Sequence, residues 1–296
     1  MVIPPYLKKG DKIGIVAPAR KISKEEIQFA IDAFQKWGLE VVLSKNIFGT
    51  ENQYSGSDEQ RAEDMQTMLD DDSIHAVISA RGGYGTMRII DKLDFKNFQQ
   101  KPKWIIGYSD ITVLHSHIHQ NFGIETLHAT MPINFHKDEE SVETLKKVLF
   151  NEKLFYDFPK QDLNRSGKVR GELAGGNLSL LCALQGSKSD INTDGKILFI
   201  EDLDEYLYHI DRMMVSLKRS GKLSKLAGLI VGGLSDMKDN QVPFGKTAEE
   251  IIADAVKEFD YPVCFGFPAG HSTKNLALPF GRRAELNVGE KVFLSF

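Results

Sequence analysis

The sequence predicts an α/β protein, with a parallel-sheet N-terminal domain and a smaller β-rich α/β C-terminal domain. Three observations carry that expectation. Short apolar runs such as Lys12–Ala17, Ile74–Ala80, Trp104–Ile106 and Lys196–Ile200 have the length and composition of buried strands. Between them lie stretches with apolar residues at helical spacing, an alternation that calls for parallel strands joined by right-handed crossovers. Finally, 296 residues with 42% hydrophobic content can bury more than one core.

The opening strand, Lys12–Ala17, ends at Pro18. Ser23 and Glu26 form a capping box ahead of the stripe Ile27, Ala30, Ile31, Phe34, and Gly38 stops that helix. Leu39–Leu43 is the next strand. A polar loop, Tyr54–Asp58, leads into a helix carrying Ala62, Met65, Met68 and Leu69. Ile74–Ala80 is a strand, followed by the turn Arg81-Gly82-Gly83-Tyr84-Gly85 and a helix from near Thr86. The Trp104 strand and its helix come next, then Ile124–Ala129 as a strand and Asp138–Phe150 as a closing helix. Residues 1–150 form the first domain. Asn151–Lys168, polar and weakly periodic, reads as a linker. Residues 169–296 form the second domain, opening on Gly171–Asn177 and an apolar helix to Gln185. Lys196–Ile200 is a buried strand ending on Glu201; a helix with Leu207, Ile210, Met214 and Leu217 on one face follows. Leu226–Val231 and Val263–Phe267 are further strands, with a helix capped by Thr247 and Glu250 between them. After a loop, Pro268–Gly281, Ala284–Val288 pairs with Lys291–Leu294.

Composition narrows the function classes. A net charge of −4, with no basic stripe, leaves no footprint for nucleic acid. The start, MVIPPYLKKG, has no apolar h-region, and no run approaches the ~18 apolar residues of a membrane span. A cytoplasmic protein without a membrane partner is expected. Cys182 and Cys264 sit in apolar surroundings as small hydrophobes of a reducing compartment.

Three loops fall at the carboxyl ends of expected strands, where open α/β sheets place their sites. The turn Gly107-Tyr108-Ser109-Asp110 joins strand to helix, which projects a side chain from the sheet edge and aims free N–H groups at the same spot. Ser109 there is either a nucleophile or, with Asp110, a helix cap. The glycines of Arg81–Gly85 allow close backbone approach to an anion, although the stretch matches neither common phosphate-binding pattern. Glu201 heads an acidic cluster, Glu201–Glu205, which is a solvated helix start, a metal site, or, at Glu201, a carboxylate that orients an imidazole. His271 alone among the eight histidines lies in a Gly- and Pro-bounded loop at a strand end of the second domain. His115, His117 and His119 invite a metal reading, but only His115 and His119 share a helix face and H-E-x-x-H is absent, so no metal is expected. His75, within a strand, reads as a core histidine. Serine needs an imidazole base, and the imidazole needs a carboxylate to fix its tautomer; Ser109, His271 and Glu201 supply all three.

With these residues in place, the chain resembles the LD-carboxypeptidase family of serine peptidases, which includes the microcin C resistance proteins. The likeness runs over essentially the whole chain, through GDKIGIVAPA, ISARGGYGTMRI, IGYSDIT, GELAGGNLSLL, KILFIEDLDEYLYHIDRMM and AGHSTKNLALPFG. The resemblance implies Ser109 as nucleophile, Glu201 and His271 completing a triad, and an oxyanion hole from the amides of Gly83 and Asp110. It further implies a metal-free, cofactor-free homodimer with its site between two domains. The implied role is cleavage of an L,D bond that releases terminal D-alanine from a murein tetrapeptide. Arg81, Tyr84 and Asn177 are candidates to hold that substrate. Tyr206-Leu207 replaces a proline common in the family, and Gly186–Gly195 is compact; both touch on substrate choice. The alternatives are a microcin-type amidase acting on peptidyl or aminoacyl nucleotide analogues and a non-catalytic protein that binds an anion at the Gly-rich turn and helix N-terminus.

Overall fold

Two sheets, each built mainly from one half of the sequence, set the positions of the candidate residues. The computed structural model describes residues 1–296. The first half runs β1 (Lys12–Val16), α1 (Lys24–Lys36), β2 (Glu40–Leu43), α2 (Asp58–Asp70), β3 (Ile74–Ser79), the single turn α3 (Thr86–Ile89), α4 (Lys96–Gln100), β4 (Trp104–Gly107), α5 (Thr112–Phe122), β5 (Thr126–His128) and α6 (Glu139–Leu149). The expected capping box at Ser23 and Glu26 closes in both directions, and Ile27, Ala30 and Phe34 are the buried face of α1. Strands β1 to β5 are parallel in the order β5-β4-β3-β1-β2. Trp104 is buried at the start of β4 and anchors its indole N–H on the Pro5 carbonyl at 3.0 Å.

The second half runs β6 (Phe155–Pro159), β7 (Gly167–Asn177), α7 (Leu178–Ala183), β8 (Lys196–Leu203), α8 (Leu207–Arg219), β9 (Gly228–Ser235), α9 (Ala248–Ala255), β10 (Val263–Cys264), β11 (Leu278–Phe280), β12 (Arg283–Val288) and β13 (Lys291–Ser295). Seven of these strands form a mixed sheet, β10-β9-β8-β7-β12-β13-β6. Thr247 and Glu250 cap α9 reciprocally. No helix is long and apolar enough to cross a membrane.

Several expectations need correction. The polar stretch taken as a linker contains β6, an edge strand antiparallel to β13; only Tyr156 and Phe158 face inward, too short an alternation to stand out, and Pro159 is tolerated at an edge. The supposed loop Pro268–Gly281 contains β11, which joins the first sheet, antiparallel to β5. Strand β8 does not end on Glu201 but continues to Leu203. The strand expected at Val263–Phe267 is confined to Val263–Cys264. His75 is half-exposed rather than in the core, because it is the second residue of β3 and its ring meets the amide of Lys12 at 3.3 Å.

The largest apolar core, 40 buried residues, takes Ile13, Trp104 and Leu127 from the first sheet and Phe199, Phe267 and Leu286 from the second half, so the two sheets share one interior. Burying such side chains contributes about 1.5–3 kcal/mol each. The carboxyl ends of β3, β4 and β8 lead to the same crevice, with the loop after β10 closing it.

Candidate active site

One residue, Tyr108, separates Ser109 from β4, and Ser109 holds φ at 63°, a left-handed conformation that non-glycine residues adopt rarely. The four-residue strand β4 runs straight into a turn of 3-10 helix, Ser109–Ile111, and then α5. This is the strand–turn–helix geometry that lifts a side chain above a sheet edge. Ser109 is 9% exposed. Around it, the amides of Asp110 and Gly83 donate to no protein acceptor. The Gly82 backbone passes so close that a Cβ there would lie 3.1 Å from that of Ser109. Two buried groups clamp this Gly-rich turn. The Asp110 carboxylate accepts the Thr86 amide at 2.8 Å, and the Arg61 guanidinium donates to the Gly85 carbonyl at 3.0 Å.

Glu201 enters from the second sheet. The β8–β9 register shifts between Ile200 and Asp202, a bulge that lets consecutive carboxylates both stay buried. Glu201 is fully buried, and its Oε2 accepts His271 Nδ1–H at 2.6 Å and the His271 amide at 3.2 Å. Gly270 permits this approach, since a Cβ on it would fall 2.7 Å from the Glu201 side chain. Asp202 bonds elsewhere, to Asn177 Nδ2 and to the amides of Ser179 and Leu203, each at 2.9 Å. Burial and then the Glu201 charge push the Asp202 carboxyl up to about 6.

His271 bridges the two halves. With Nδ1–H on Glu201, its Nε2 is free to accept from Ser109 Oγ, 3.0 Å away. Burial depresses its basicity, but the Glu201 charge and hydrogen bond outweigh that and hold the pKa above the ordinary value. Its loop is pinned to the first half. Asn275 Oδ1 accepts the Gly270 amide at 2.8 Å and faces His128 Nε2 at 3.1 Å, while the Ser141 and Thr144 hydroxyls of α6 take the amides of Asn275 and Ala277 at 2.8 and 3.1 Å. Chemically, the arrangement offers a serine hydroxyl with a base, a base with an orienting anion, and two free amides beside the serine.

The cleft over Ser109 measures about 490 Å³ and opens into a second cavity of about 690 Å³. Arg81 lines it, donating to the Lys21 carbonyl at 3.2 Å. The other two candidate substrate contacts lie elsewhere. Tyr84 is exposed and turns toward Tyr54, the ring centres 6.2 Å apart. Asn177 is buried as the cap of α7, bonded to Leu180, Ser179 and Asp202, with its amide on Thr112 Oγ1 at 2.9 Å. Its part is to join the end of β7 to the start of the Ser109 helix. The three histidines of α5 are buried and bond in three directions, to the Gly107 carbonyl, the Ser189 hydroxyl and Glu172, so their rings do not converge. Arg20, Asn134 and Lys137 border the cleft without any local sequence signal, whereas Tyr108, next to Ser109, and Asp204, in the acidic cluster, carried one.

Comparison with known proteins finds relatives for the chain. Residues 13–129 match the family described as LD-carboxypeptidase N-terminal domain, and residues 170–286 the LD-carboxypeptidase C-terminal domain. A "Probable murein peptide carboxypeptidase" of Bacillus subtilis is 37% identical over 97% of this chain and 92% of its own length. The crystal structure of muramoyltetrapeptide carboxypeptidase from Oxalobacter formigenes, 26% identical, superposes with a TM-score of 0.86 over 96% of this chain and 98% of that one. The microcin C7 self immunity protein in complex with aspartyl sulfamoyl adenosine, 23% identical, shares the fold with a TM-score of 0.89 over 100% and 98% of the two chains.

Proposed function

The chain belongs to the LD-carboxypeptidase family, and from that premise we propose that it is a cytoplasmic serine peptidase of cell-wall recycling, working as a homodimer. It hydrolyses the L,D-peptide bond before the terminal D-alanine of murein tetrapeptides. The observation that carries this reading is the relay Glu201–His271–Ser109, with separations of 2.6 and 3.0 Å, meeting at a left-handed serine.

Ser109 Oγ gives its proton to His271 Nε2 as it attacks the scissile carbonyl carbon. The amides of Gly83 and Asp110 take the negative charge that develops on the carbonyl oxygen. Glu201 stabilises the imidazolium. His271 then passes its proton to the leaving nitrogen, D-alanine departs, and an acyl-enzyme remains on Ser109. Water, deprotonated by His271, cleaves that ester and restores the serine.

The test is incubation of purified protein with murein tetrapeptide and quantification of free D-alanine. A folded protein that releases none refutes the proposal. Because the same relay would cleave the amide of an aminoacyl nucleotide analogue, that substrate is run in parallel, and a clear preference for it overturns the murein assignment.

A further inference from the structure

A peptidase that removes one terminal residue must distinguish a free α-carboxylate from an internal peptide bond, and the relay does not make that distinction. The proton flow limits where the recognising group can stand. His271 protonates the leaving nitrogen, so the departing residue lies on the His271 side of Ser109, with its carboxylate carbon two bonds beyond that nitrogen. A cation serving it must border the cleft beside His271.

Three cations line the cleft over Ser109: Arg20, Arg81 and Lys137. The stem of Arg20 lies against Gly83, on the oxyanion side, and Arg81 belongs to the same Gly-rich turn. Neither borders the second cavity. Lys137 borders both, in company with His271, Tyr108 and Asn134. Its amide is held by the Asn134 carbonyl at 2.9 Å, while its exposed ammonium enters no ion pair, unlike the nearby Lys274, which pairs with Glu140. At His271, burial and the Glu201 charge dominate, and the Lys137 ammonium also acts there, opposing protonation. The second cavity also carries one carboxylate, Asp236, and Lys137 is its one lysine or arginine.

We propose that Lys137 receives the C-terminal α-carboxylate of the substrate and so makes the enzyme an exopeptidase. This rests on the peptidase reading above. A charge-assisted hydrogen bond of this kind favours the free acid about 30-fold in kcat/KM, or about 2 kcal/mol at 1.4 kcal/mol per tenfold.

The experiment compares murein tetrapeptide with its C-terminal D-alaninamide analogue, in the wild type and in Lys137→Met, Lys137→Arg, Arg20→Ala and Arg81→Ala. The wild type is expected to prefer the acid by about 30-fold. Lys137→Met should lose that preference through a higher KM on the acid alone, Lys137→Arg should retain most of it, and the two arginine variants should affect both peptides alike. An active wild type that does not discriminate, a Lys137→Met enzyme that still does, or a collapse of the ratio in an arginine variant instead would overturn the assignment while leaving the peptidase reading standing. A folded wild type inert on both peptides would overturn the two together.

Discussion

Glu201→Gln separates the charge of the orienting group from its shape. The side chain is fully buried, and its Oε2 takes two donors from His271, the ring Nδ1–H and the backbone amide. Glutamine fills the same space, and the backbone N–H, which cannot become an acceptor, draws the amide oxygen into the Oε2 position. The NH₂ then falls where Oε1 has no protein partner. The ring tautomer is thereby preserved, and the main loss is the attraction between carboxylate and imidazolium. At ~4 Å and an effective dielectric constant of ~20 that attraction is about 4 kcal/mol, which corresponds to roughly 10³-fold in acylation rate. Single-turnover kinetics should therefore show a loss on the order of 10³-fold with KM nearly unchanged. Asp202→Asn should be far milder, because Asp202 bonds Asn177 and Ser179 instead of His271. The pH profile supplies an independent sign. A general base works only when neutral, so activity falls as pH drops through the His271 pKa, which burial lowers and Glu201 more than restores in the wild type. Without the carboxylate the two largest raising influences are gone, leaving burial opposed only by the smaller pull of Asp202, and the acid limb must move to lower pH. A loss within ~10-fold, or a limb that stays put or rises, would refute Glu201 as the orienting group.

Other outcomes follow from the same geometry. Ser109→Ala should lower turnover by at least ~10³-fold with circular dichroism unchanged, and near-normal activity in the folded variant would eliminate the nucleophile. Gly83→Ala, at φ 115° and against the Arg20 stem, should displace one oxyanion amide and cost ~10²–10³-fold in kcat, with a lowered thermal midpoint from the backbone strain; unchanged kcat in the folded variant would remove Gly83 from the mechanism. EDTA should leave activity unaltered, since the α5 histidines bond in separate directions, and a loss reversed by zinc would contradict that. Burial pushes the His115 and His128 pKa values down to about 4 and about 3. Between pH ~6.5 and those values the unfolded chain binds protons that the folded one refuses, so each histidine withdraws up to ~1.4 kcal/mol of stability per pH unit as pH falls. Urea midpoints should drop from pH 7 to pH 5; a flat profile would contradict the buried neutral assignment.

What the sequence revealed and what it hid divide along a physical line. The capping boxes of α1 and α9 are encoded within four residues, and both were legible. Ser109, Glu201 and His271 were legible because each follows or ends an apolar run with an abrupt change of residue type. Their grouping followed from chemical role, serine needing a base and the base a carboxylate, and the resemblance implied the same three; the bulge that holds Glu201 is announced by no local pattern. Asn177, a candidate substrate contact, is buried as the cap of α7 and bonds Asp202, 25 residues away, a partner no local pattern reveals. Strands β6 and β11 were missed because each is justified by a partner across the chain, β13 and β5, and not by its own composition. Lys137 gave no signal, for a cleft wall made by a loop is a property of the assembled fold.

The placement of β11 has a consequence for synthesis. The strand that completes the edge of the first sheet pairs Phe280 with Thr126, and the base at His271 precedes it by only a few residues. A ribosome has therefore made the five parallel strands of the first sheet, and Ser109 with them, long before the edge and the imidazole emerge. Throughout that interval the serine lacks its partner, and under the relay proposed above the growing polypeptide has no hydrolytic capability to turn on its surroundings.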